Sequence, residues 1–357
     1  MKYVEKKIAG KSLKIETGRI ARQSNGSVLV TYGNTIVLAT VNSAKEARED
    51  IGFFPLQVEY REKHYAGGKI PGGFFKREAR PGEHEILTSR VTDRPIRPLF
   101  PKGFKKETQV MITVLQSDGE NNPDILAGVG ASAALVTSTI PWNGPIATVR
   151  VCRIDNKFVI NPTRMEVENS DIEMIVSGNK ETVVMVEGEA TGAKENEILD
   201  ALKEAHTIIK EIIEMQIELA EKLNIVKDNF EVAEPVSEIV KSIDKIVGNK
   251  IKEIVKITKK SERAKSKDLL ISEVIEDLKE SYPDDTKEIN SIIDDTFKNE
   301  FREMILETGQ RSDGRKTTDI REITIEPNIL NRTHGSALFT RGETQALVSM
   351  TLGGGRD

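Results

Sequence analysis

GSVLVTYGNTIVL, residues 26–38, reads as a strand, a turn and a second strand: two β-rich runs flank Gly33-Asn34, a strong hairpin signal. The chain writes the same pattern again as GSALFTRGETQAL, residues 335–347, at an offset of 309. Gly26, Ser27, Leu29, Thr31, Gly33, Thr35 and Leu38 fall on Gly335, Ser336, Leu338, Thr340, Gly342, Thr344 and Leu347 without a gap. Turn and strand phase are kept together, which points to duplication. The chain is expected to open a second copy of its first domain, and a lone hairpin cannot bury a domain-sized core. It is therefore expected to be part of something longer.

Between the copies the signals fall into two blocks. Strand-like stretches occur at Ile51–Tyr60, Thr108–Gln116, Ile146–Val159, Ile172–Val176 and Thr182–Glu187. A helix is expected from Asn122 as N-cap, through Pro123 at its first position, to about Thr139. Its Ala127, Gly128, Gly130, Ala131, Ala133 and Ala134 permit close packing on a sheet. A longer helix is expected from Lys194 to about Leu223, with Ile198, Leu202, Ala205, Ile209, Ile212 and Leu219 at helical spacing. Strands with sheet-packing helices make a mixed α/β (α+β) domain, assigned to residues 1–230. Residues 231–310 are rich in Lys, Glu and Ile, show no strand alternation, and are broken at Tyr282-Pro283-Asp284-Asp285. They are expected to form an all-helical module whose charge runs are solvated helix faces. Residues 311–357 begin the second copy.

Composition narrows the chemistry. One cysteine, Cys152, excludes an internal disulfide framework and fits a reducing compartment. The four histidines lie singly, with no ligand-like spacing, and no apolar leader precedes the first strand signals. A cytoplasmic protein is expected. The charge is uneven: Arg61–Lys106 holds 12 Lys and Arg against 5 Asp and Glu, a charge of +7 in a chain of −5. This basic island opens with a glycine-rich loop presenting Phe74, Phe75, Lys76 and Arg77, followed by Arg80. Paired aromatics beside cations suit single-stranded nucleic acid, because bases stack on rings at ~1–3 kcal/mol each while cations hold the backbone. Acids after Pro81-Gly82 mark a helix start. Arg90 and Arg94 share one face of that helix, and Pro95 and Pro98 end it and hold Arg97 on a turn. Three guanidiniums there could clamp phosphates, or pair with Glu85, Asp93 or a neighbouring subunit.

At FFKREARPGEHEILTSRVTDRPIRPLFPKGF, residues 74–104, the sequence resembles the bacterial-type polynucleotide phosphorylase family. SDGENNPDILA (117–127), VMVEGEA (184–190), RSDGR (311–315) and GSALFTRGETQALV (335–348) support the resemblance, which covers essentially the whole chain. It implies an RNase PH-like core, an all-helical domain and the truncated start of a second RNase PH-like core, with KH and OB-type domains beyond. It also implies a homotrimeric ring that threads single-stranded RNA to phosphorolytic sites, uses inorganic phosphate and Mg²⁺, and has degradosome-type partners. Phe74 and Phe75 would form the channel constriction, with Lys76, Arg77, Arg80, Arg90, Arg94 and Arg97 gripping RNA. Many members carry two arginines after the phenylalanines; Lys76 keeps the charge but loses the planar fork. The family's Ser-rich phosphate turn corresponds here to Ser117–Asn122 followed by Asp124, and its D-M-D-F-K run to Asp171-Ile172-Glu173-Met174-Ile175. Acids at the turn repel phosphate, and Ile175 stands at the lysine. No catalytic or metal-binding residue is therefore expected within the chain. The competing expectation is a non-catalytic RNA-binding ring subunit, although such subunits have one core and no helical insertion.

Overall fold

The computed structural model describes residues 1–47, 52–72, 76–230, 237–283 and 285–354. The chain divides into two compact units, Met1–Ala233 and Glu234–Asp357.

The first unit runs β1 (Lys2–Ile8), β2 (Lys11–Thr17), β3 (Gly26–Tyr32), β4 (Thr35–Ser43), β5 (Leu56–Glu62), α1 (Glu83–Ile96), β6 (Thr108–Gln116) and α2 (Pro123–Val136). It continues with β7 (Ala147–Ile154), β8 (Lys157–Ile160), the one-turn α3 (Arg164–Val167), β9 (Ile172–Gly178), β10 (Val183–Ala190) and the long α4 (Glu195–Leu223). Six strands form one sheet in the order β1-β2-β3-β4-β6-β5, and four form another in the order β10-β9-β7-β8. Only β5 and β6 pair in parallel; the other pairs in these sheets are antiparallel. The hairpin turns at Gly33, whose φ of +59° is left-handed.

The small residues of α2 now have a physical reason. Every residue of this helix except Asp124 is buried, because it touches the first sheet on one side and β7 on the other. A Cβ on Gly128 would lie 2.2 Å from Thr148 Oγ1, and one on Gly130 would lie 3.0 Å from Ala39 Cβ. Gly128 therefore sets the approach to the second sheet. G128A should destabilise this unit by about 1–3 kcal/mol, overpacking outweighing the helix-propensity gain. An unchanged urea midpoint would show that the sheets can spread. Buried polar groups in this layer are paired: Ser132 donates to Gln216 (2.7 Å), and Gln216 Nε2 donates to Ile146 O (2.8 Å). Past α4, Lys227 reaches back to cap the end of α2, donating to Leu135 O (2.7 Å) and Ser138 O (2.9 Å). Burial pulls its amine down to about 8.

Among its described residues the second unit holds four helices, α5 (Ser237–Val247), α6 (Lys250–Ile254), α7 (Lys260–Leu278) and α8 (Thr286–Thr308), around an aliphatic core that includes Ile239, Ile243, Val274 and Ile293. Three strands follow: β11 (Ile323–Pro327), β12 (Gly335–Arg341) and β13 (Thr344–Met350), in the order β11-β12-β13. Their register repeats the first unit. Gly26 pairs with Val41 and Tyr32 with Thr35; 309 residues on, Gly335 pairs with Met350 and Arg341 with Thr344. On β3 and β4, Val30 and Val41 are fully buried, whereas their equivalents Phe339 and Met350 are 37% and 49% exposed. The duplicated hairpin is present without a counterpart of α2 among the described residues.

Candidate nucleic-acid interface

Edge strand β5 explains how α1 is placed. The free N–H groups of an edge strand need partners. Ser89 Oγ accepts from Tyr60 N (3.0 Å), and Glu85 accepts from Glu62 N (2.8 Å) and Gly82 N (2.5 Å). The far end is held by Trp142 Nε1, which donates to Ile96 O (3.0 Å). α1 runs through Pro95 to Ile96 instead of stopping before it, since one lost hydrogen bond in a final turn is tolerable. Polar residues on one side of α1 thus bind the sheet, leaving Arg90 on the exposed side.

The eight residues singled out in the sequence separate into four groups. Phe74 and Phe75 lie outside the described residues. Lys76, Arg77, Arg80 and Arg90 are exposed and make no ion pair among the described residues. Arg94 pairs with Glu187 of β10, a partner 93 positions away that sequence spacing could not reveal. Arg97 is bonded within the chain. Its fork binds Asp93 at 2.9 and 2.6 Å and also donates to Phe54 O (3.3 Å) and Leu56 O (3.0 Å), tying α1 to the start of β5.

The structure adds Glu78, which sequence reasoning passed over. It sits at φ +47° and folds back to accept from His64 N (2.8 Å) and pair with its ring (2.7 Å). The hydrogen bond from the His64 backbone, then the one from its ring, hold this carboxyl below its usual range. Glu78 pins the C-terminal stem of the loop that carries Lys76 and Arg77. Near α1's start, Glu62 raises the His84 imidazole above its ordinary value, partly opposed by burial. His84 thereby adds to the positive island in mildly acidic solution.

The turn entering α2 is filled by the protein's own groups. Asp118 accepts from Asn34 N, Thr35 Oγ1, Glu120 N, Asn121 N and Asn121 Nδ2, at 2.6–3.1 Å. Burial opposes ionisation, yet the combined donors hold Asp118 at about 2. Its folded value lies below the ordinary 3.8, so its stabilisation is present above about pH 4 and lost as pH falls through about 2. The melting-temperature gap between the native chain and D118N should therefore close between pH 5 and about 2; a constant gap would rule out this linkage.

Asp124, at the start of α2, pairs with Arg150, which also pairs with Glu173. These side chains are 9%, 10% and 25% exposed, so the arginine occupies the space between two acids. Asp171 is held by both arms of Arg153 (2.8 and 2.7 Å), which also binds Glu197 (2.7 Å). Mg²⁺ does not fit here. Both carboxylates of the Asp171–Glu173 run are neutralised by arginine, and no cluster of three metal-ligating side chains occurs among the described residues.

Comparison with known proteins places the chain in a family. The family described as "3' exoribonuclease family, domain 1" matches residues 9–141, and its "domain 2" matches 144–208. "Polyribonucleotide nucleotidyltransferase, RNA binding domain" matches 238–316. The mixed α/β unit is thus RNase PH-like, and a helical segment follows it. The polyribonucleotide nucleotidyltransferase of Geotalea daltonii is 49% identical over 352 residues, covering 98% of this chain and 50% of that protein. The enzymes of that name from Geobacter sulfurreducens (47%, covering 98% and 50%) and Gemmatimonas aurantiaca (46%, covering 100% and 49%) are similar. The chain belongs to the polyribonucleotide nucleotidyltransferase family and spans about half the length of the curated relatives it matches. Among solved structures, "archaeoglobus fulgidus exosome with RNA bound to the active site" matches at TM-score 0.44 and 19% identity, over 60% of this chain and 86% of that one. No helix among the described residues is long and apolar enough to cross a membrane.

Proposed function

We propose that this chain is the RNA-guiding part of a 3′–5′ phosphorolytic exoribonuclease that shortens mRNA with inorganic phosphate. In that reaction a phosphate oxygen attacks the 3′-terminal phosphodiester phosphorus. The 3′ oxygen of the preceding nucleotide leaves, giving a nucleoside diphosphate and an RNA one residue shorter with a free 3′ hydroxyl. The observation that carries the reading is the contrast between two sites in the first unit. Lys76, Arg77, Arg80 and Arg90 stand exposed and make no ion pair among the described residues, whereas the turn entering α2 is closed by Asp118 and the Asp124–Arg150–Glu173 network.

On this reading Phe74 and Phe75 stack bases at a channel constriction, the neighbouring cations hold phosphates, and Arg94 joins them when RNA displaces Glu187. Residues 1–230 are the non-catalytic core, 231–310 the helical domain and 311–357 the start of the catalytic core. The Mg²⁺ ligands and phosphate turn belong to that second core, beyond Asp357. A homotrimeric ring in the cytoplasm, with degradosome-type partners, completes the proposal. The repeated hairpin register favours it over a single-core, non-catalytic ring subunit. The test uses the complete reading frame with labelled RNA, phosphate and Mg²⁺. Nucleoside diphosphates should accumulate in proportion to phosphate, and phosphate-independent release of monophosphates would overturn the reading.

A further inference from the structure

A cleft of about 550 Å³ opens in the second unit between the start of α7 and the β12–β13 turn. Lys259, Lys260 and Arg263 line its helical wall, and Arg321 and Gly342 line the opposite one. Arg263 donates to Ile257 O (2.6 Å), Thr258 O (3.3 Å) and Ser312 O (3.1 Å) and lies over the Phe301 ring at 5.4 Å. None of these partners is a carboxylate, so the bonds fix its charge in place without neutralising it. Lys260 is exposed and makes no ion pair among the described residues. Lys259 pairs with Glu262 at 2.8 Å on an open surface, where such pairs contribute little, and Glu343 in the cleft also attracts it. Arg315 and Arg321 share the single carboxylate of Asp313, at 2.9 and 3.5 Å. Glu322 and Glu343 also line the cleft, which keeps a positive excess.

The cations gather where α7 begins. Lys259, Lys260 and Arg263 lie within about one helical turn, whereas Lys267, a turn further on, is paired with Asp294 (2.6 Å) and lies over the Phe297 ring at 5.0 Å. The repeat also gives the cleft a place in the proposed reaction. Leu13 pairs with Tyr32 as Ile323 pairs with Arg341, so Arg321 is the equivalent of Lys11. Lys11 holds Asn121 (2.6 Å) in the loop entering α2, and that loop crowds Gly33, the equivalent of Gly342. The cleft therefore lies beside the position where the second core's counterpart of this loop belongs.

We propose that this cleft binds the phosphodiester backbone of single-stranded RNA close to its reacting 3′ end, with Lys259 and Lys260 pairing to phosphates and Arg263 fixing the wall. The inference rests on the reading of the chain as an RNA-guiding part. The test measures binding of 5′-labelled oligoadenylate to this chain over a range of salt, comparing K259A/K260A, K265A and K76A/R77A/R80A. Both cleft lysines are exposed, and matched thermal melts will confirm folding. K259A/K260A should weaken binding about 3- to 10-fold and lower the salt slope by roughly 1.4, about 0.7 for each lost phosphate contact. K265A, two residues from Arg263 and so on another face, should change neither. Unchanged affinity and slope in K259A/K260A, with the loop variant weakened, would overturn the cleft and leave the RNA reading standing. Unchanged binding in both would remove the two together.

Discussion

Replacing Lys76, Arg77 and Arg80 together by alanine should weaken binding of single-stranded oligoadenylate about 10- to 100-fold and lower the slope of log K against log salt by about 2. Each of these side chains is exposed, so binding RNA breaks no ion pair among the described residues. The effect comes from phosphate contacts, so it should be equal for oligoadenylate and oligouridylate. Replacing Phe74 and Phe75 by alanine should act differently. Stacking contributes ~1–3 kcal/mol per base and is barely screened by salt, so affinity should fall with the slope unchanged. Filter binding at four salt concentrations separates the two; a charge variant that loses affinity at constant slope would show that these cations do not meet phosphates.

R150M should destabilise the first unit by about 3–5 kcal/mol, because it leaves Asp124 and Glu173 facing each other without their cation. The arginine is held on two arms, while its Nε is buried without a partner, so the network depends on charge more than on complete hydrogen bonding. Trp142, the only tryptophan, is buried in this unit and reports its unfolding separately from the helical module. The triple variant D124N/R150M/E173Q removes both charges and the cation, and should recover most of the loss. If R150M unfolds at the same urea concentration as the native chain, the turn entering α2 is not closed by this network. If the triple variant is no more stable than R150M, the loss is one of packing.

Much of the fold was legible because its signals are local. The hairpin at Gly33, the small-residue helix, the span of α4 and the helical module follow from periodicity and turn chemistry that neighbours reinforce. The repeated G-S-x-L-x-T-x-G pattern gave a strand register that the pairing of β12 with β13 reproduces. Strands β1 and β2 were not read. KYVEKKI buries only Val4 and Ile8, too sparse an alternation for an edge strand to stand out among lysines. The interface was half legible. Charge excess located it, but composition cannot say which arginine is spent. Arg97 and its partner Asp93 are one helical turn apart, so that pairing was among the readings the spacing allowed. Glu187 of β10 reaches Arg94 of α1, and Arg150 of β7 reaches Asp124 of α2, only because each helix packs beside a strand distant in sequence. Glu78 was hidden for another reason: its left-handed backbone, unusual for a glutamate, leaves no mark in composition.

The most direct test of the division of labour is one incubation of this chain with labelled oligoadenylate, inorganic phosphate and Mg²⁺, followed for both bound RNA and released ADP. The account predicts salt-sensitive binding that requires Lys76, Arg77 and Arg80, and no release of ADP. Sustained phosphate-dependent release of ADP by this chain alone would contradict it, because the phosphorolytic site would then lie among residues 1–357.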